Sequence, residues 1–140
     1  MRYFTNKVVL ATGGSSGLGR SIAEAFAADG AKVAIVGLEP EVVAEAAREM
    51  GRSAEIMGLT ADLTRQEEVD RVFGEVVDRF GGLDVLVNAV GRTDRGKAID
   101  MTPEQYLDLL NLNFLATVRC TRAAMPHLLA RRGHLVNIGS

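Results

Sequence analysis

The feature that most constrains the fold is a regular alternation between two hydrophobic periodicities. Short runs of consecutive apolar residues, many of them β-branched, predict five strands at residues 7–11, 32–36, 54–59, 83–89 and 134–138. Consecutive apolar positions are typical of strands in a parallel sheet that is covered on both faces. The longer segments between the runs repeat apolar residues at helical spacing. The chain is therefore expected to build a parallel sheet flanked by helices.

Four helical segments fill the intervals between the predicted strands. The first two carry apolar stripes over residues 18–27 and 42–50, and each is followed by a glycine that can end a helix. The third is predicted to open with a capping box at residues 64–67 and to end before the glycine pair at 81–82. These signals place a helix after each of the first three strands.

The fourth helical segment is the longest. It is predicted to begin at Thr102, with Pro103 in the favoured first position and Gln105 closing a second capping box. It runs, either continuous or interrupted, to about Arg131. Alternation of strands and helices at this spacing is typical of βαβ units with right-handed crossovers. The fold class is therefore α/β, with most of a doubly wound parallel sheet in five strands and four helices.

Composition limits the possible partners and compartment. At 140 residues the chain suits one domain, spanning residues 1–140. A net charge of -2 argues against nucleic acid or an anionic membrane as the main partner, because both require a basic face. The single cysteine, Cys120, cannot form an internal disulfide, which indicates a cytoplasmic protein. Its apolar, helical surroundings predict a small buried hydrophobe.

The strongest functional signal directly follows the first predicted strand. The stretch TGGSSGLG, residues 12–19, contains four glycines and two serines and leads at once into a helix. Glycines there permit close backbone approach to a phosphate, and the free N–H groups and the helix dipole can hold a pyrophosphate. The alternative is a tight turn without a ligand, but the glycine content favours binding. A mononucleotide P-loop is disfavoured because no Gly-Lys-Ser/Thr follows.

This stretch resembles the Thr-Gly-x-x-x-Gly-x-Gly cofactor motif of the short-chain dehydrogenase/reductase family, and the resemblance continues along nearly the whole chain. An acid that binds adenine in the family corresponds to Asp62, and Asn88-Ala89-Val90-Gly91 stands where the family has Asn-Asn-Ala-Gly. The resemblance implies a Rossmann-type dinucleotide-binding domain that stops before its remaining strands. It also implies these cofactor-binding residues: Thr12, Gly13, Ser15, Ser16, Gly17, Leu18, Gly19, Asp62, Leu63, Asn88, Ala89 and Gly91.

The chemistry implied by the resemblance is hydride transfer between a nicotinamide and an alcohol or carbonyl substrate. Ser140 matches the family's catalytic serine, and Asn113 matches the helix asparagine that helps hold a proton-relay water. The family's Tyr-x-x-x-Lys motif is absent, because Tyr106 has Leu110 at the lysine position and Tyr3 precedes the first strand. The chain is expected to stop before that motif. The 140-residue chain is therefore expected to be inactive alone, and it contains no predicted metal site.

Two other function classes remain open at this stage. One is a dinucleotide-binding module without catalysis, either a degenerate natural product or a fragment. The other is a flavodoxin-like signalling domain, which the glycine motif and the lack of an acidic phospho-acceptor cluster disfavour. The expected partners are a nicotinamide dinucleotide and a small alcohol or ketone, with homo-oligomers for a full-length enzyme. The unpaired edge of HLVNI, residues 134–138, is expected to promote association of the 140-residue chain.

The choice between NAD and NADP depends on the residues after the second strand. A carboxylate there accepts hydrogen bonds from the adenosine ribose and favours NAD, whereas an arginine favours NADP. In the family's terms, Gly37 occupies the usual acidic position and Leu38 the usual basic one, so neither selector is present. Glu39 is a nearby carboxylate, and Ser16 stands where relatives that use NADP often carry a cation. This pattern favours NAD over NADP.

Several candidate residues also have a purely structural interpretation. Asp62 can simply begin the turn before the third helix. Asn88 and Gly91 can form only the turn that leaves the fourth strand. Asn113 lies within a helix, where asparagine is a poor helix former, so a bend or a water site is an alternative to a catalytic role. The sequence alone leaves these alternatives open.

Overall fold

The computed structural model of the protein describes residues 2–139. Its five strands form one sheet in the order β3-β2-β1-β4-β5, and every neighbouring pair is parallel. The predicted α/β class and doubly wound parallel sheet are confirmed. The strands are β1 (Val8–Thr12), β2 (Lys32–Gly37), β3 (Ile56–Thr60), β4 (Val85–Asn88) and β5 (His134–Asn137).

The helices connect these strands as the periodicities predict. The fourth predicted segment is interrupted, because a π-helical turn at Asn111–Leu115 joins two α-helices, and a 3₁₀ turn at Ala98–Asp100 precedes them. Both short turns were absent from the predicted elements. The α-helices are α1 (Gly17–Ala28), α2 (Pro40–Met50), α3 (Gln66–Phe80), α4 (Pro103–Leu110) and α5 (Ala116–Arg131).

The two predicted capping boxes have different outcomes. At α4 the Thr102 side chain accepts from the Gln105 N–H, and the Gln105 side chain accepts from the Thr102 N–H, so this capping box is confirmed. At α3 the prediction was wrong, because Arg65 is the N-cap and makes no side-chain capping bond. Thr64 instead donates its N–H and hydroxyl to Asp62 Oδ1. The Thr64 hydroxyl therefore belongs to the turn after β3, where it donates to a carboxylate, and it does not cap α3.

The core has two layers, one on each face of the sheet. On one face α1 and α2 pack against alternate residues of the central strands, and on the other α3 and α5 pack against the intervening residues. Cys120 is fully buried in the second layer, as predicted, and burial raises the pKa of its thiol to about 12. β5 departs from the expectation of two covered faces, because its residues are exposed. It is the edge strand of the described sheet, with nothing packed beyond it.

The strand order creates a crevice at the carboxyl ends of the two central strands β1 and β4. The chain moves outward from β1 through β2 to β3, then returns to the other side of β1 to form β4. The helices after β1 and after β4 therefore lie on opposite faces, which leaves a gap between the carboxyl ends of these two strands. Among the described residues, no helix is long and apolar enough to cross a membrane.

Candidate functional site

A cleft of about 610 Å³ opens at the carboxyl ends of the strands. Its volume lies within the range of roughly 300–1,000 Å³ that is typical of small-molecule sites. Its walls come from the loops after β1, β2, β3 and β4 and from the π-helical turn. Eleven predicted residues line it, which brings most of the predicted site together: Gly13, Ser15, Ser16, Gly17, Leu18, Gly19, Glu39, Asp62, Leu63, Ala89 and Gly91.

The amino terminus of α1 faces this cleft without a cap of its own. Ser16 is the N-cap but makes no side-chain capping bond, and the first turn contains no acidic residue. The first N–H groups of a helix have no partner within the helix, and the helix dipole adds partial positive charge there. Within the part of the chain that the structure describes, this end of α1 therefore offers free donors and no competing negative charge to an anion.

Gly13 and Gly19 are required by contacts within the protein itself. A Cβ on Gly19 would overlap the carbonyl oxygen of Gly13 and lie 2.8 Å from its carbonyl carbon. A Cβ on Gly13, whose φ is +65°, would lie 2.7 Å from the Ala89 carbonyl oxygen. These two glycines let the loop fold tightly against itself and against the end of β4. These contacts require glycine at both positions whether or not a phosphate binds, and the expected close approach of a phosphate stays a prediction.

Gly17 differs from those two glycines. Its φ is +57°, in the left-handed region that favours glycine, and a Cβ there would have no protein atom within 4 Å. It is the first residue of α1 and lines the cleft. Gly17 thus lines the cleft at the start of α1 and has open space where a side chain would lie.

Thr12 and Asn88 lie beneath the cleft and do not line it. Thr12 is fully buried, and its hydroxyl accepts from the Ala89 N–H at 3.2 Å and donates to the Val87 carbonyl at 3.4 Å. Asn88 is also buried and donates to Thr121 Oγ1 and Asn137 Oδ1. Thr12 therefore ties β1 to the end of β4, and Asn88 ties β4 to β5 and α5.

Asn113 lies in the π-helical turn and holds the loop that follows β4. Its Oδ1 accepts from the Arg92 N–H at 2.8 Å, and its Nδ2 donates to the Arg92 carbonyl at 2.9 Å. A Cβ on Gly91 would lie 2.7 Å from Asn113 Oδ1, so a side chain at that position would displace the asparagine amide. π-helical turns occur often at functional sites. Here the turn aims an asparagine side chain at the wall of the cleft.

Asp62 serves the turn after β3 and also lines the cleft. Its Oδ1 accepts the hydroxyl of Thr64 at 2.6 Å and the Thr64 N–H at 3.0 Å, which confirms the turn that sequence allowed. The Thr64 hydroxyl is the main cause that holds the pKa of Asp62 below its usual value. Oδ2 accepts no hydrogen bond from residues 2–139, so it is available to a ligand donor. The two interpretations of Asp62 are thus compatible.

The end of β2 forms the opposite side of the cleft. Leu38 is 68% exposed, and Glu39 precedes α2 as its N-cap without a side-chain capping bond. A Cβ on Gly37 would overlap Ser15 Oγ and lie 2.8 Å from Val43 Cγ2. The space for a side chain at position 37 is therefore already filled, mainly by Ser15 from the glycine loop.

Sequence reasoning missed a group of cleft residues, and Ser140 lies outside the described residues. Three of them, Gly37, Leu38 and Val90, lie in motifs that the sequence analysis considered without giving these residues a cofactor role. Most of the others are apolar and have no motif of their own, so only the packing of distant segments could identify them. Arg92, in the loop after β4, is paired with Asp94 at 3.2 Å. The residues that line the cleft and were not among the predicted site residues are Val36, Gly37, Leu38, Val42, Ala61, Val90, Arg92, Leu112 and Ile138.

Together the sheet order and the glycine loop at its switch point define a doubly wound α/β protein of the Rossmann type. A family model described as short chain dehydrogenase matches residues 7–140. The chain therefore belongs to the short chain dehydrogenase family, as the sequence resemblance indicated.

Two curated oxidoreductases are similar in sequence to this chain over nearly its whole length. An uncharacterized oxidoreductase of Staphylococcus epidermidis is 32% identical over 135 residues, which are 96% of this chain and 58% of the relative. An uncharacterized oxidoreductase of Staphylococcus aureus is 32% identical over 141 residues, covering all of this chain and 61% of the relative. The chain thus spans about three fifths of the length of these curated relatives.

Two solved structures show the same fold. An actinorhodin polyketide ketoreductase with NADPH has a TM-score of 0.92 and 31% identity, over 98% of this chain and 55% of that chain. A short chain dehydrogenase from Burkholderia cenocepacia in complex with NADP has a TM-score of 0.92 and 34% identity, over 100% of this chain and 57% of that chain. TM-scores of 0.92 over nearly all of this chain show that both structures share its fold.

Proposed function

We propose that the cleft binds a nicotinamide dinucleotide and that the protein is an oxidoreductase that moves a hydride between this cofactor and an alcohol or carbonyl carbon. The observation that carries the proposal is the uncapped amino terminus of α1, which opens into the cleft beside Gly17. Pyrophosphate is the ligand that such a helix end favours. Two structural neighbours with NADPH or NADP bound support the same ligand class.

The residues of the cleft fit the separate parts of such a cofactor. The N–H groups at the start of α1 would hold the pyrophosphate, and Asp62 Oδ2 would accept a hydrogen bond from the adenine amino group. The nicotinamide would extend toward the loop after β4, where Gly91 and Leu112 line the cleft. When bound, the cofactor supplies or accepts the hydride, and the protein binds, orients and shields the reacting groups from water.

The catalytic assignments are likewise proposals. Asn113 would fix the wall of the cleft through its two hydrogen bonds to the Arg92 backbone. A proton-relay water near this asparagine, as in the sequence-based expectation, would then be held by groups around the π-helical turn. Ser140 would orient the substrate oxygen. We also propose a cytoplasmic location, because Cys120 is buried and, as the single cysteine, cannot form an internal disulfide. Homo-oligomers are proposed for the enzyme.

A binding module without catalysis is the second candidate, and the positions of the tyrosines favour it for the 140-residue chain. The Tyr106 hydroxyl donates to the Ala98 carbonyl at 3.0 Å on the surface, and Tyr3 lies by a cavity at the opposite, amino-terminal edge of the sheet. Neither tyrosine lines the cleft. No tyrosine among residues 2–139 is therefore placed to act as the general acid.

NAD remains the proposed preference over NADP. Glu39 is a carboxylate in the cleft wall that would repel a 2′-phosphate, and Leu38 stands in place of a cation. The neighbours named above carry the phosphorylated cofactor, so the preference depends on these residues of this chain. A weak preference is expected, because the Glu39 side chain makes no capping bond that would hold it in one place.

Calorimetric titration of the purified 140-residue chain with NADH, NADPH and ATP tests the proposal. One-to-one binding of NADH, with weaker binding of NADPH and weaker still of ATP, is the expected result. ATP serves as the control because it contains the adenosine but lacks the second ribose and the nicotinamide. Binding of ATP that equals binding of NADH would indicate a mononucleotide site and contradict the proposal.

A further inference from the structure

A partly buried arginine bridges the π-helical turn between α4 and α5. Arg119 Nη1 donates to Asn111 Oδ1 at 2.8 Å, and Asn111 is the one hydrogen-bond partner of this side chain among residues 2–139. Asn111 is the first residue of the π-helical turn, and Arg119 lies in the first turn of α5. The bond therefore joins the helix segments on the two sides of the π-helical turn.

The spacing of this pair matches the register that the π-helical turn creates. Each residue of an α-helix advances about 100° around the axis, so two residues eight positions apart differ by about 80° and lie on different faces. A π-helical turn accommodates one extra residue, which reduces the effective separation to about seven positions and the difference to about 20°. Arg119 and Asn111 then lie on one face, about two turns apart. Their bond therefore fits the helix with the π-helical turn and would be misaligned in a continuous α-helix.

The two helices beside the turn differ in how firmly the core holds them. α4 buries no residue, whereas α5 buries Ala116, Cys120, Ala124 and Leu128. If the turn lost its extra residue, α5 would keep its core contacts and the segment before it would rotate. Asn113 lies within the turn, so its two hydrogen bonds to the backbone of the loop after β4 depend on this register.

We propose that Arg119 is a positioning residue, which sets the register of the π-helical turn through Asn111 and thereby holds Asn113 against the loop after β4. A hydrogen bond from a charged donor is stronger than one between neutral groups, which suits a single contact that fixes a register. The consequence for a cofactor rests on the proposed function, because Gly91 and Leu112, which adjoin this contact, line the cleft.

Hydrogen exchange in the cofactor-free chain tests the contact. The measured group is the Arg92 N–H, which donates to Asn113 Oδ1. Arg119→Leu and Asn111→Ala each remove one partner and should speed its exchange about tenfold, the lower end for a hydrogen bond to a charged group. The double variant should exchange no faster than either single variant, because both remove the same interaction. Arg122→Leu, at an exposed arginine of α5, is the matched control and should leave the rate unchanged.

A conservative variant separates positioning from a general loss of stability. Asn111→Asp keeps an acceptor and should retain the exchange rate of the parent, but it should not restore that rate in the Arg119→Leu background. Amides of β1, in the centre of the sheet, should exchange as in the parent throughout. The proposal is overturned by a parent-like Arg92 rate in either single variant, by effects that add in full, or by equal acceleration of the β1 amides.

Calorimetry with NADH tests the consequence for the cleft separately. The Arg119→Leu protein should bind NADH more weakly than the Arg122→Leu protein, because the wall beside Gly91 is no longer held in place. Equal affinities would overturn the link between the turn and the cofactor. Failure of the parent to bind NADH would overturn the proposed function, and the exchange rates would still decide whether Arg119 sets the register of the turn.

Discussion

Replacing Gly17 with alanine tests the loop at the point where the protein needs glycine least for its own packing. Apart from its chain neighbours and the backbone of its own helix, the new Cβ would meet no protein atom within 4 Å, and the residue lines the cleft at the start of α1. The backbone would still be strained, because φ at this residue is +57°. The substitution therefore has two separable effects, a backbone cost and an obstruction of the ligand.

The magnitudes of both effects follow from the geometry. An alanine held in the left-handed region costs about 1–2 kcal/mol, which for a chain of this length lowers the melting temperature by very roughly 2–8 °C. A methyl group in the space proposed for the pyrophosphate would also break at least one charge-assisted hydrogen bond, worth about 1.5–3 kcal/mol. NADH affinity should therefore fall by about ten- to a hundredfold in the variant.

Gly81→Ala is the matched control for this variant. Gly81 ends α3 with a φ of +83°, and the nearest atom to its added Cβ is Arg131 Nη2 at 3.8 Å, far from the cleft lining. The Gly81→Ala protein should lose a similar amount of stability, measured by thermal unfolding without cofactor. It should still bind NADH with the affinity of the parent in calorimetry. Equal NADH affinity in the Gly17→Ala protein would refute the placement of the pyrophosphate. Equal losses of affinity in both variants would show that only stability had changed.

Further expectations concern selectivity, protonation and turnover. Leu38→Arg should tighten NADPH binding about tenfold, because it adds a cation for the 2′-phosphate. Glu39→Gln should reduce the preference for NADH. An unchanged ratio of the NADH and NADPH dissociation constants would contradict either expectation. Asp62 has a folded-state pKa below its unfolded value near ~3.9, so its ionised form stabilises the fold above that value and this contribution is lost as pH falls through the folded pKa. Thr64→Val should raise the pKa of Asp62 in an NMR titration, since its hydroxyl is the main cause of the shift. Cys120, with its pKa raised to about 12, should react with a thiol reagent at pH 8 only after unfolding, and fast labelling of the native protein would show that it is not buried. The 140-residue chain should show no dehydrogenase turnover, because no tyrosine among residues 2–139 lines the cleft and general acid–base catalysis is typically worth ~10² to 10⁴ in rate. Steady NADH formation from an alcohol would disprove this expectation. Sedimentation should detect association through the exposed β5 edge.

The fold could be predicted because its signals are local. Each strand and helix carries its own periodicity, and the α4 capping box needs only Thr102 and Gln105. The failure at α3 shows the limit of such local signals. Thr64 had the right spacing to cap that helix, but Asp62 lies two residues away and captures its hydroxyl at 2.6 Å. Two local patterns competed for one side chain, and spacing alone did not decide between them.

The position of the site could be predicted from the sequence, but the roles of its individual residues could not. The glycine loop marks the cleft, yet the reasons for its glycines differ, because Gly19 packs against Gly13 while Gly17 faces open space. Ser15 and Gly37 are 22 positions apart in the sequence, and only folding shows that one fills the space of the other. The same holds for Asn113, whose contact with the Arg92 backbone joins residues that are 21 positions apart.

The most direct test of the account is an NMR titration of the 140-residue chain, labelled with ¹⁵N, by NADH. The amide groups of Ser16, Gly17 and Leu18 should shift most, since they lie at the uncapped start of α1, and those of Asp62 and Gly91 should shift with the same dissociation constant. Amides near Arg132, at the opposite edge of the sheet, should not move. Shifts confined to that opposite edge, or no shifts at all with saturating NADH, would contradict the proposal that this cleft binds a nicotinamide dinucleotide.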